Sequence, residues 1–137
     1  MTSKIKFKDL LIAQMYPYEI APSLLEREFD EEQLNQAFAL TLKTLRSYKK
    51  LTLKILGEDV GMNPQTISYY ENGTNAPTIA NAMKLSSYFE MSIELFTLFG
   101  LANLTEGADI VNLYENMLKM FQEVHRKMVI QRAKRKH

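Results

Sequence analysis

Several residue types that carry chemistry are absent or scarce in this chain of 137 residues. It has no cysteine and no tryptophan, and its two histidines, His125 and His137, both lie in the C-terminal tail. Without cysteine there are no disulfides and no thiolate chemistry, which favours a cytoplasmic protein. HExxH, Ser-His-Asp and Cys-His arrangements cannot be formed, and no glycine-rich phosphate loop is present. We therefore expect no enzymatic activity, no metal and no cofactor.

Long apolar runs are missing as well. No stretch is long enough to span a bilayer, and the apolar run after the first lysines is too short for a signal peptide, so no membrane association is expected. With 46% hydrophobic and 24% charged residues, the chain can bury one modest core and has room for extensions.

The net charge of +1 conceals an uneven distribution. The segment from Glu19 to Glu32 is acidic, whereas the segment from Lys43 to Lys54 and the tail after His125 are basic. Local clusters of charge, more than the total, set the attraction to phosphates. The basic segment is either a solvated surface or a surface for nucleic acid.

Residues 51–77 predict two short helices joined by a tight turn. Thr52 can cap the first helix, and Gly61, which tolerates positive φ, can end it. Asn63 can cap the second helix, with Pro64 at its first position, where no N–H is needed. Gly73 ends the second helix. This is the helix-turn-helix pattern, in which the second helix enters the DNA major groove.

Helices are also predicted on both sides of this unit. Asp30 and Gln33 have the spacing of a capping box and open a helix that ends near Lys50. Thr78 and Ser92 can cap a fourth and a fifth helix. The apolar positions of these helices, Ile79 and Met83 included, should pack beneath the two helices of the helix-turn-helix pattern. The expected fold is all-α: an N-terminal extension (1–33), a five-helix DNA-binding domain (34–99), a linker (100–108) and a C-terminal helix with a basic tail (109–137). Within the extension, residues 5–15 form a short helix or an arm.

The C-terminal helix carries an apolar series at alternating spacings of four and three residues, which is the heptad period of packed helices. The series predicts a dimerisation helix, with a helix folded back on its own domain as the alternative. Its members are Ile110, Tyr114, Met117, Phe121, Val124 and Met128.

From about Leu42 to Phe96 the chain resembles the Cro and phage-repressor type of helix-turn-helix protein, the XRE family. The resemblance rests on residues distributed over the whole unit: Leu51, Thr52, Leu56, Gly57, Gly61, Thr66-Ile67-Ser68, Glu71-Asn72-Gly73 and Pro77. It implies a transcriptional regulator whose second helix reads DNA. It also implies a partly buried ion pair between Arg46 and Glu71.

Individual side chains can be assigned expected roles on DNA. Gln65 can pair bidentately with adenine, and Thr66 can meet a phosphate or a thymine methyl. Departures from the family pattern are Leu53 in place of glutamine, Ile55 in place of an acidic residue, and Pro64 at a base-reading position. The full expected DNA-binding set is Asn63, Gln65, Thr66, Ser68, Tyr69 and Asn72, with Lys43, Lys49 and Lys50 on phosphates.

The sequence is compatible with two functions from different classes. The first is a repressor of phage, plasmid or mobile-element type that binds double-stranded DNA at palindromic operators as a homodimer. The second is a protein-interaction module, an antitoxin-like partner or adaptor, with secondary DNA binding. Either one leaves room for regulation by a protein or peptide.

Overall fold

Helices account for about three quarters of the residues that the structure describes. In this computed structural model the described residues are 4–6 and 27–135, and the expected all-α fold is confirmed. A two-residue antiparallel pair, β1 (Ile5–Lys6) with β2 (Glu28–Phe29), precedes the helices, and the rest of the segment predicted to be a helix or arm lies outside the described residues. The helices are α1 (Glu31–Tyr48), α2 (Leu53–Val60), α3 (Pro64–Glu71), α4 (Ile79–Tyr88), α5 (Ile93–Glu106) and α6 (Ile110–Arg135).

Side-chain caps determine where these helices begin. The Asp30 carboxylate accepts from the Gln33 backbone N–H at 2.9 Å, and the Gln33 side chain accepts from the Asp30 N–H at 3.0 Å, which completes the predicted capping box. Thr78 and Ser92 cap α4 and α5 in the same way, by accepting a hydrogen bond from the residue three positions on. Each cap satisfies a backbone donor that has no partner inside its helix.

Aromatic side chains form the centre of the core. The ring centroids of Phe38 and Phe96 are 4.8 Å apart, those of Phe89 and Phe96 are 5.9 Å apart, and those of Phe89 and Tyr114 are 6.5 Å apart. These rings come from α1, α5, α6 and the end of α4, so one cluster joins four segments of the chain. Burial of large apolar side chains is the main favourable contribution to such a core.

The prediction of a linker at residues 100–108 is wrong for residues 100–106, which belong to α5. Helix α5 continues through Gly100 and ends at Gly107, which has a φ of 68°. A Cβ at Gly100 would lie 2.0 Å from the carbonyl oxygen of Ala37, so only glycine lets α1 and α5 cross this closely. Gly100 therefore serves helix packing, whereas in the sequence it looked like a chain break.

The predicted inward positions of α4 need correction at two residues. Ile79 is 78% exposed and Met83 is 55% exposed. The buried stripe runs instead through Ala82, Leu85 and Phe89, spaced three and four residues apart. Ile79 and Met83 lie to the side of that stripe and add apolar surface to the exterior.

Helix α6 is divided by its environment. Asp109 caps it, accepting from the backbone N–H of Val111 at 3.0 Å. Ile110, Tyr114 and Met117 are 2%, 0% and 0% exposed within their own chain, so these three residues fold back on the domain and do not form a seam with a partner. Among the described residues, no helix is long and apolar enough to cross a membrane.

Candidate nucleic-acid interface

The turn between α2 and α3 is tight because Gly57 lets the two helices approach closely. A Cβ at Gly57 would lie 2.5 Å from the backbone oxygen of Met62 and 3.4 Å from Pro64 Cδ. Gly61, with a φ of 70°, ends α2 in the left-handed conformation, as predicted. This part of the chain therefore holds α3 at a fixed angle to α2.

Helix α3 has one buried side and one exposed side. Ile67 is fully buried and Tyr70 is 5% exposed, and the Tyr70 hydroxyl accepts from Asn81 Nδ2 at 2.8 Å. On the other side, Gln65, Tyr69 and Asn72 are exposed at spacings of four and three residues, so they share one face. We call these three residues the reading face; Thr66 and Ser68 are half-buried beside it.

Side chains that cap helices border the reading face. Asn63 Oδ1 accepts from the Gln65 backbone N–H at 2.8 Å, so this predicted DNA-binding residue already acts as the cap of α3. Thr52 Oγ1 accepts from the Ile55 N–H at 3.0 Å at the start of α2. Asn72 ends α3 through its backbone, with its N–H donating to the carbonyl of Ser68, and its side chain is exposed.

The expected ion pair between Arg46 and Glu71 is present. Arg46 Nε donates to Glu71 Oε1 at 2.6 Å and to Oε2 at 3.1 Å, and Arg46 Nη1 donates to the carbonyl of Leu51 at 2.8 Å. The Glu71 side chain is only 4% exposed. The pair joins α1 to the end of α3, and Arg46 also holds Leu51 ahead of α2. Removing one partner would leave the other charge buried and unpaired.

The three predicted phosphate-binding lysines have different environments. All three are exposed, but their ammonium groups differ in what they contact. Lys49 directs its ammonium towards the core aromatics, 5.7 Å from the Phe89 ring centroid and 5.5 Å from that of Tyr114. These cation–π contacts hold Lys49 against its own chain. Lys43 and Lys50 are thus the better placed candidates for phosphate contact.

Two tyrosines tie helices together through carboxylates. Tyr48 donates to Glu115 Oε1 at 2.5 Å, and Tyr88 donates to Asp59 Oδ2 at 2.9 Å. Each hydrogen bond raises the pKa of its tyrosine above the ordinary value, because the bond favours the protonated hydroxyl and the carboxylate repels a phenolate. No spacing in the sequence indicated either pair, since single tyrosines and carboxylates carry no local pattern.

A tightly joined pair of short helices, the second of which exposes a polar face, defines a helix-turn-helix domain. Residues 42–96 match the family model described as Helix-turn-helix, and this part of the chain is a domain of the Cro/C1-type, or XRE, helix-turn-helix family. The family consists of DNA-binding transcription regulators. No curated protein and no solved structure matches the chain. The first part of α1 and all of α6 lie outside the matched residues.

Proposed function

We propose that this protein is a sequence-specific repressor that binds a palindromic operator as a homodimer, with α3 of each subunit in the major groove. The observation that carries the proposal is the reading face. Gln65, Tyr69 and Asn72 point away from the core because Ile67 and Tyr70 anchor the opposite side of α3. An exposed polar face on a firmly held helix is what reading of base edges requires.

Contacts to phosphates should position α3 on the duplex. The N-termini of α2 and α3 present backbone N–H groups and the positive ends of helix dipoles, which favour phosphate oxygens. Lys43 and Lys50 can add direct ionic contacts. Such contacts fix orientation, while the reading face supplies the sequence preference.

The homodimer is supported by the distal part of α6. Phe121, Val124 and Met128 are 43%, 52% and 51% exposed and continue the spacing of the buried residues before them. A second copy can cover this stripe, and pairing lets two reading helices sit about 34 Å apart, one turn of DNA. Repression then needs only that the bound dimer occupies a site that polymerase also requires.

The test of this function is the change Gln65→Ala in the full chain. We expect binding to the preferred site to weaken by about 1–3 kcal/mol and the preference to relax at one base pair, because a bidentate contact to adenine is lost. Binding-site selection followed by titration of the selected duplex measures both effects.

Gln122→Ala is the matched control, since Gln122 is an exposed glutamine on α6, outside the matched domain. It should leave the base preference unchanged. An unaltered base preference in Gln65→Ala would show that Gln65 does not read a base. The absence of any preferred site in the wild type would reject the function itself.

A protein-interaction module is the second candidate, and the exposure of Ile79 and Met83 on α4 favours it. An apolar patch on the exterior is typical of a surface that meets another protein. The same selection distinguishes the two functions. A module with secondary DNA binding would bind all duplexes alike and lose them together as salt rises.

A further inference from the structure

The reading surface has few cations that are available to DNA. Helix α3 contains no lysine or arginine. Arg46 is committed to Glu71 and to the Leu51 carbonyl, and Lys49 lies over its own aromatic rings. Neutralising phosphates supplies much of the affinity of a protein for DNA, so cations beyond the exposed Lys43, Lys50 and Lys54 would add to it.

The C-terminal part of α6 supplies them. We call residues 118–135 the distal helix. It contains six lysines and arginines against a single acidic residue, Glu123, and every residue from Phe121 to Arg135 is exposed. Glu123 pairs with Lys127 at 3.5 Å, but both side chains are more than half exposed, so this pair neutralises little.

Four of the six cations of the distal helix share one half of its surface, whereas Arg132 and Arg135 lie on the apolar side. At about 100° per residue, Phe121, Val124 and Met128 share one side of the helix. Lys119, Arg126, Lys127 and Lys134 fall on the opposite half of its surface. We call these four residues the basic face. A partner helix that covers the apolar stripe would leave the basic face open.

The distal helix begins just beyond residues that contact the end of α1. Just before it, Glu115 accepts from Tyr48 at 2.5 Å, and the Tyr114 ring lies 5.5 Å from the Lys49 ammonium. Tyr48 and Lys49 form the end of α1, and Thr52 caps α2 only a few residues later. At about 1.5 Å per residue the 18 residues extend roughly 27 Å, which is long enough to reach several phosphates beside the operator.

We propose that the basic face of the distal helix binds the DNA sugar-phosphate backbone beside the operator, without regard to sequence. The inference rests on the proposed function, since it requires that α3 brings the protein to DNA. It assigns base preference to the reading face and a large share of affinity to a helix outside the matched domain. DNA is favoured over other anionic surfaces because the residues just before the distal helix contact Tyr48 and Lys49 at the end of α1, next in the chain to Lys50, a candidate for phosphate contact.

The experiment compares the full-length wild type with the triple variant Arg126→Gln, Lys127→Gln, Lys134→Gln. Fluorescence anisotropy gives the affinity for the selected operator with flanks and for a random duplex, at salt between about 50 and 200 mM. The slope of log K against log salt should become shallower by roughly 0.9 for each lost contact, up to about 2.7, on both duplexes. The base preference should not change. Removing the flanks from the operator duplex should bring the wild type towards the slope of the variant.

Glu123→Gln is the control on the same helix, because it removes a negative charge where the triple variant removes positive charges. It removes the only acidic residue of the distal helix and should tighten binding to both duplexes. Sedimentation of each variant should give the wild-type mass, because the changed residues lie away from the apolar stripe.

The outcomes separate this inference from the proposed function. An unchanged salt slope together with an intact preferred site overturns the inference and leaves the function standing. An unchanged slope together with loss of binding to vesicles containing anionic lipid overturns it in favour of a membrane surface. A wild type without DNA binding rejects the function on which the inference rests.

Discussion

The two parts of α6 share one apolar spacing but have opposite environments. In the proximal part, Ile110, Tyr114 and Met117 are almost completely buried against α1, α5 and the end of α4. In the distal helix, Phe121 and Val124 continue the same series and are 43% and 52% exposed. The charge changes at the same point, from Glu115 alone in residues 110–117 to a strongly basic segment beyond.

This difference in burial shows that a heptad series specifies which side of a helix is covered but not what covers it. The proximal part folds back on its own domain, which is one of the two alternatives considered from the sequence, whereas the distal helix is exposed and its pairing with a second copy stays a prediction. Helix α6 extends beyond the domain against which it packs, and the burial of its apolar side ends where the domain ends.

The largest expected effect comes from a charge placed in the proximal part. Met117 is fully buried, so Met117→Asp would remove its packing and bury a carboxylate without a partner. We expect a loss of about 4 kcal/mol or more in the free energy of unfolding, a large share of the stability of an ordinary domain. Urea unfolding followed by circular dichroism, at a fixed protein concentration, measures the loss. A wild-type midpoint would show that the proximal part is not a component of the core.

A smaller effect is expected when aspartate is placed at Phe121, the next position in the apolar series of α6. Phe121→Asp should leave the domain folded but shift a dimer towards monomer, with weaker operator binding, because about 1.5–3 kcal/mol of burial per chain is lost. Sedimentation gives the mass and circular dichroism the helicity.

Val129→Asp is the matched control for this change, because Val129 is 50% exposed and lies off the apolar stripe. It should keep the wild-type mass. A dimer that survives Phe121→Asp would reject the distal helix as the dimer contact, and a chain that unfolds would place Phe121 with the core after all.

Local signals explain what could be predicted from the sequence. The caps at Asp30, Thr52, Asn63, Thr78 and Ser92 all lie where predicted, because capping depends on residues no more than three positions apart. The buried side of α3 and the close approach at Gly57 follow from the same short-range pattern. The Arg46–Glu71 pair required the family resemblance, since its partners are 25 positions apart.

One wrong prediction concerns a partner that is distant in the chain. Gly100 was interpreted as part of a linker because the carbonyl of Ala37, which it meets, lies on another helix. The rings of Phe89 and Tyr114, above which Lys49 lies, are also distant in the chain, and nothing near Lys49 in the sequence indicates them; its contact with a phosphate stays a prediction. Both depend on how helices cross, which is decided by the packing of the whole domain.

The smallest expected effect concerns the one buried hydroxyl of the proximal part. Tyr114 is fully buried, and its hydroxyl has no hydrogen-bond partner among the described residues. Its ring, in contrast, packs at 6.4 Å from the Tyr48 ring and 6.5 Å from the Phe89 ring, and Tyr114→Phe keeps these contacts while removing the unpaired polar group. Because an unsatisfied buried hydroxyl costs about 1–3 kcal/mol, we expect the free energy of unfolding to rise by about 1 kcal/mol. The reverse change in the distal helix, Phe121→Tyr, should stay within about 0.5 kcal/mol of the wild type, because that site is open to water. A destabilised Tyr114→Phe in the same urea titration would mean that the hydroxyl is hydrogen-bonded to a buried water, and the proximal part would then be held by polar contacts as well as by packing.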